Sequence, residues 1–403
     1  MFSFQQTEFL GFCYNKTMER KLEFPQGFLW GSATSAYQVE GGLENSDWSE
    51  KFPADLACDH YHRYKEDFEI LQKLKQNAYR FSLEWSRLEP EEGKFDEKEI
   101  EHYRQYLQAL RLRGIRVMVT LHHFSNPLWL AKLGGWANRK VVFYFSRFSE
   151  RVFKEYKDLV DYWVTINEPA IYASLSYLEA RWPPQKRNPV LFLSVIKNQI
   201  LAHQKVYEIF HRTKTNVLVG IVENIAFIEP FSDNFLDKLS VSLSRYFIYF
   251  ILRKVRRHLD FIGLNYYFHR KIQFPFYQKN ENKIISDLGW EIYPQGIYYV
   301  LKDLSKYNLP IYITENGLAD KEDKLRKDFM EKHLFWIHQA ISEGVDVKGY
   351  FHWSLLDNFE WADGFNPRFG LIEINYKTLE RKIRASALFY AQICENNSLI
   401  IKE

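Results

Sequence analysis

Eight short runs rich in β-branched and aromatic residues recur along the chain, and longer stretches of helical periodicity separate most of them. The runs are FLWGSATSA (28–36), AYRFSLEW (78–85), RVMVTLHH (116–123), YWVTINE (162–168), LVGIVENIAFI (218–228), DFIGLNYY (260–267), PIYITEN (310–316) and VKGYFHWSL (347–355). Between them, stretches such as HYHRYKEDFEILQKLKQN and EKEIEHYRQYLQALRLRG place apolar residues every three or four positions, and Gly114 marks the end of the second. A strand followed by a helix returns the chain to the end of the sheet where it began, so the next strand runs parallel. Eight such units predict an α/β fold: a single (β/α)8 TIM barrel with its active site at the C-terminal ends of the strands. An open doubly wound sheet is the other solution, but no G-x-G-x-x-G follows any run.

The chain's 403 residues, 46% of them apolar, are ample for one large core, and no linker rich in Pro, Gly or Ser interrupts them. The reading is one catalytic domain over residues 23–403 behind an N-terminal extension, 1–22. Within it, Met18 opens MERKLEFPQGFLWG, so 1–17 read as dispensable, the other reading being an arm packed on the barrel. The first residues lack a basic stretch followed by an apolar one and do not read as a signal peptide.

A net charge of +3 gives no argument for nucleic acid, and no apolar run is long enough to span a bilayer. Cys13, Cys58 and Cys394 are odd in number and widely spaced, which predicts a reducing, cytoplasmic setting. In CDHYH (58–62), Cys58 and His62 share a helical face but no further ligand is evident, so the segment reads as a helix start and neither metal nor cofactor is expected. The basic, amphipathic segment Ser244 to Asp260 reads as a barrel helix leading into the sixth strand. Oligomeric state is left open.

In such a barrel all strand ends face one mouth. Two runs end in a carboxylate, Glu168 and Glu315, which apolar surroundings penalise unless something offsets the cost. Around them the other ends bring Gln38, His123, Asn167, Asn265, Tyr267 and Trp353, with Glu360 and Trp361 just beyond. Two opposed carboxyl groups suit glycoside hydrolysis, one protonated to assist the leaving oxygen and one ionised to attack the anomeric carbon. Arg80, within the second run, supplies a cation to keep one ionised if it points inward. Aromatic residues are 17% of the chain, and rings stack on the C–H faces of sugars. Alone, Trp353 reads as a core residue, Gln38 as a loop or capping residue and His123 as structural. Their joint placement makes a site.

The stretches FLWGSATSAYQVEG, YRFSLEWSRLEP, VTLHHFSNP, TINEP, DFIGLNYY, ITENG and WSLLDNFEWADGFNPRFGL, in that order, resemble the signature of glycoside hydrolase family 1 from about Phe24 to Ala391. The family comprises retaining β-glycosidases on a (β/α)8 barrel. The resemblance implies that Glu168 is the acid/base and Glu315 the nucleophile. It implies that Gln38, His123, Asn167, Glu360 and Trp361 bond sugar hydroxyls, that Trp353 is a stacking floor and that Phe369 closes the glycone pocket. Tyr267 and Arg80 would hold Glu315, with Asn265 beside them. The expected partner is a small β-glycoside, chiefly a glucoside, with galactosides and fucosides next. A transglycosylase would use the same residues. A silent sugar-binding barrel would lack one carboxylate, and both are present.

Three departures stand out. Phe124 and Ser125 replace a usual Trp-Asp, which removes an indole N–H that would serve the 3-hydroxyl. His352 stands where a small apolar residue is usual and, next to Trp353 on a strand, reads as outward. The stretch from Glu168 to Asn265 is short, which predicts an open leaving-group side. There Trp182, in SLSYLEARWPPQKRN, reads either as an entrance wall or as loop packing.

Overall fold

The computed structural model describes residues 19–213 and 216–402; the proposed 1–17 extension and Cys13 lie outside them. All eight runs form strands: β1 (Leu29–Ala33), β2 (Ala78–Ser82), β3 (Arg116–His122), β4 (Tyr162–Asn167), β5 (Leu218–Asn224), β6 (Phe261–Asn265), β7 (Ile311–Asn316) and β8 (Val347–Trp353). Every neighbouring pair is parallel, β8 pairs with β1, and the barrel is closed. Residues 19–22, assigned to the extension from sequence, belong to a strand: Glu19–Glu23 pairs antiparallel with Ser398–Lys402.

Strand periodicity sorts side chains into two cores. Tyr79, Phe81, Trp163, Ile311 and Ile313 face outward into the layer under the helices. Ala78, Met118, Val164, Phe261, Tyr312 and Phe351 fill the interior. Tyr312 sits 5.1 Å from Tyr162 and 5.3 Å from Phe261, ring centre to ring centre, and closes the barrel below the mouth. Gly220 makes room for this plug, because a Cβ there would lie 2.5 Å from the Phe261 ring.

The helices behave as their sequences ask. Asp96 caps Glu97–Leu112 through the Lys98 N–H at 2.9 Å, and Gly114 follows it at φ +70°. Asn188 caps Pro189–His211, with proline in the first turn where its missing N–H costs nothing. The basic segment after Ser244 forms the end of Phe235–Ile248 and then Phe250–Val255, which buries Ile251, Leu252 and Val255 just before β6. Among the described residues no helix is long and apolar enough to cross a membrane.

At two strand ends the ladder slips. Register shifts between Val164 and Asn167 on β4, and between Ile313 and Glu315 on β7. Strict alternation from inward Val164 would turn Ile166 inward, yet Ile166 packs in the outer layer and Asn167 bonds Arg80 inside the barrel. An extra residue of this kind re-aims the side chains beyond it. Both slips fall where the glutamates leave their strands.

Candidate active site

Above the aromatic plug lies a cavity of about 560 Å³. Its lining includes His123, Asn167, Glu168, Tyr267, Glu315, Trp353, Glu360, Trp361 and Phe369. Glu315, at the end of β7, is buried and receives two donors: Arg80 Nη1 at 2.5 Å on Oε1 and the Tyr267 hydroxyl at 2.9 Å on Oε2. Arg80 points inward, is 1% exposed, and also donates to Asn167 Oδ1 at 2.7 Å. Glu168 sits just past β4, immediately before the helix Pro169–Tyr177, and adopts φ +44°, a conformation that costs a non-glycine residue energy. Its Oε1 accepts from Asn265 at 2.6 Å and Asn224 at 3.1 Å.

The two carboxyl groups therefore have unlike surroundings. Burial, and then the nearby Glu315 charge, push Glu168 up to about 8. Burial also raises Glu315, but Arg80 and Tyr267 oppose it. A cation in contact favours the ionised form, whereas Glu168 contacts only neutral amides. Of the two, Glu168 is therefore the carboxyl whose surroundings favour the protonated form. Burial, then the Arg80 charge, holds His123 well below its usual value, so it is neutral. Glu360 is pushed up to about 8, first by burial, and accepts the Trp353 indole N–H at 3.4 Å.

Gln38 lies behind the cavity wall. It is fully buried, its amide donates to Asn358 Oδ1 and the Phe359 carbonyl, both at 2.8 Å, and it accepts from Ser35. Asn265 braces the floor, accepting from Thr314 at 2.8 Å while donating to Glu168. Ser125 faces away and donates to buried Glu84 at 2.8 Å. His352 is buried between Tyr350 and Tyr390 on the outer side of β8. Cys58, His60 and His62 are engaged separately, with the Asp357 carbonyl, with Asp67 and Tyr106, and with Asp59.

Asn224 and Trp290 are among the lining residues that the sequence did not single out. Asn224 ends β5, so the rule that strand ends converge would have found it. Trp290 lies in the long connection between β6 and β7, packs 6.0 Å from Phe369, and carries no local signal.

A closed (β/α)8 barrel that holds two buried carboxyl groups, one braced by a cation and one not, among sugar-sized aromatic and amide walls, defines a glycoside hydrolase. The profile described as Glycosyl hydrolase family 1 matches residues 20–252 and 251–399. Beta-glucosidase A of Thermotoga maritima is 35% identical over 442 aligned positions, covering 94% of this chain and 99% of that protein. The solved beta-glycosidase from Pyrococcus horikoshii superposes with a TM-score of 0.89 at 38% identity, covering 94% of this chain and 96% of that one. A beta-galactosidase of Sulfolobus acidocaldarius is 31% identical, covering 94% and 96% respectively. The chain belongs to glycosyl hydrolase family 1 and is a β-glycosidase.

Proposed function

We propose that this enzyme is a retaining β-glycosidase that removes terminal, non-reducing β-D-glucosyl residues, with galactosides and fucosides as further substrates. The observation that carries the reading is the unequal bonding of the two glutamates: Arg80 and Tyr267 on Glu315, neutral amides on Glu168. Ionised Glu315 attacks the anomeric carbon while Glu168 gives its proton to the glycosidic oxygen, and the aglycone leaves. Glu168, now ionised, takes a proton from water, which attacks the glycosyl ester and frees Glu315.

Asn167 accepts from Arg80 through its side-chain carbonyl and its NH2 meets His123 Nε2 at 3.2 Å, which leaves the second N–H as a donor for the 2-hydroxyl. His123, Glu360 and Trp361 take the remaining hydroxyls, Trp353 is the floor, and Phe369 with Trp290 closes the side. Gln38 orders the wall through Asn358 and reaches the sugar only by changing partners. The leaving-group half of the cavity runs past Ile171, Leu175 and Phe268 to Glu179, Arg181 and Arg270. This mixed lining suits aryl, alkyl and glycosyl leaving groups alike. One catalytic domain, which takes in the Glu19–Glu23 strand, carries the activity, and the free thiols of Cys58 and Cys394 suit the cytoplasm. Proton NMR of β-glucoside hydrolysis tests the mechanism: the β-anomer of glucose should appear first, and the α-anomer appearing first would sink it.

A further inference from the structure

Phe124 stands where the resemblance implies an indole, and a phenyl ring has no N–H to give a hydroxyl. Its ring centre lies 4.9 Å from that of His123 and 5.2 Å from that of Trp361, so it borders the hydroxyl edge those two serve. Its backbone is pinned at φ +71°, with its carbonyl accepting the Trp48 indole N–H at 3.1 Å.

Trp182 packs directly on this ring. It comes from the loop after Pro169–Tyr177, and its ring centre is 4.7 Å from Phe124 and 5.8 Å from Trp361. It is 7% exposed and lines the same cavity as Glu168 and Glu315. The indoles of Trp30, Trp48, Trp85, Trp129 and Trp136 all donate to protein acceptors. Among the described residues the indoles of Trp182, Trp290 and Trp361, all of which line the cavity, have no such acceptor and are not sealed from solvent, and of the three Trp182 packs nearest to Phe124. Trp182 lines the cavity and its indole nitrogen is reached by solvent, so a sugar hydroxyl that displaces this water can accept from it.

We propose that Trp182 supplies the indole donor that Phe124 lacks, hydrogen-bonding the 3-hydroxyl of the bound sugar, and so determines glycone specificity. The inference rests on the glycosidase reading above. Packing alone would act on every substrate equally, whereas a hydrogen bond acts only on sugars that carry the hydroxyl.

The test compares kcat/KM for an aryl β-glucoside and its 3-deoxy analogue across the unmodified enzyme, Trp182→Phe, and enzyme with benzothienylalanine at 182. The last replaces the indole N–H with sulfur at nearly constant shape, so it decides the matter even where Trp182→Phe folds poorly. Loss of the donor should lower kcat/KM about tenfold for the glucoside, equivalent to about 1.4 kcal/mol, and less than about twofold for the 3-deoxy sugar. Equal losses on both substrates would make Trp182 a packing residue and overturn the proposal while leaving the glycosidase reading intact. An unmodified enzyme inactive on every β-glycoside tried would remove that reading, and this inference with it.

Discussion

Removing the guanidinium from Glu315 separates electrostatic control from mere positioning. In Arg80→Met the contact at 2.5 Å between Arg80 Nη1 and Glu315 Oε1 is lost, while the Tyr267 hydroxyl bond on Oε2 remains. Charge centres about 4 Å apart interact by about 4 kcal/mol at an effective dielectric constant of about 20. That corresponds to an upper bound of roughly 3 pH units on the Glu315 carboxyl, and remaining donors and relaxation bring the expectation to about 1–3 units. The sign is fixed: Arg80 favours the carboxylate, so its loss raises the value further above 4.5. The clean assay is the pH dependence of kcat/KM for a dinitrophenyl β-glucoside. Its leaving group needs no proton from Glu168, so the acidic limb isolates Glu315. That limb should move up by about 1–3 units, with a loss of about 10- to 1000-fold at low pH that recovers as pH rises. Arg80→Lys keeps a charge and should move the limb less. A uniform fall at all pH values with the limb unmoved would refute the electrostatic role and leave Arg80 a positioning residue.

Glu168→Ala should slow alkyl β-glucosides by about 10²–10⁴-fold but barely slow glycosyl transfer from dinitrophenyl glucoside; parallel losses for the two would take the acid role from Glu168. Glu315→Gly should not hydrolyse β-glucosides, and azide supplied with an activated β-glucoside should instead give the β-glucosyl azide from Glu168→Ala and the α-glucosyl azide from Glu315→Gly; any other anomers would contradict the assigned faces. Glu223, buried on β5 with one oxygen unpartnered, is pushed well above its usual value by burial and then by the Glu168 charge. A carboxyl raised in this way costs stability as pH climbs from its unfolded value, about 4.3, toward its folded one. Glu223→Gln should therefore gain nearly nothing at pH 4 and about 1.4 kcal/mol more per unit above it until the folded value is reached; urea unfolding at pH 4 and 7 with equal gains would count against this.

Strand formation and strand order were readable without coordinates, because β-branched and aromatic clusters and the helical period between them are local properties. Each of the eight runs contains its barrel strand, and the rule that strand ends share one mouth brought Glu168, Glu315, His123, Tyr267 and Trp353 to the same cavity. The same local logic could not see the register slips before Asn167 and Glu315, since a slip depends on the neighbouring strand. Nor could it show that Gln38 spends its amide on Asn358, 320 positions away, or that Trp182 rests on Phe124. It located two carboxyl groups but could only suggest which holds the proton. That choice turns on Arg80, 235 positions from Glu315 in the chain and in contact with it in the folded barrel. Burial and charge act through space, so where a proton resides is a property of the closed barrel and not of either strand that carries the acid.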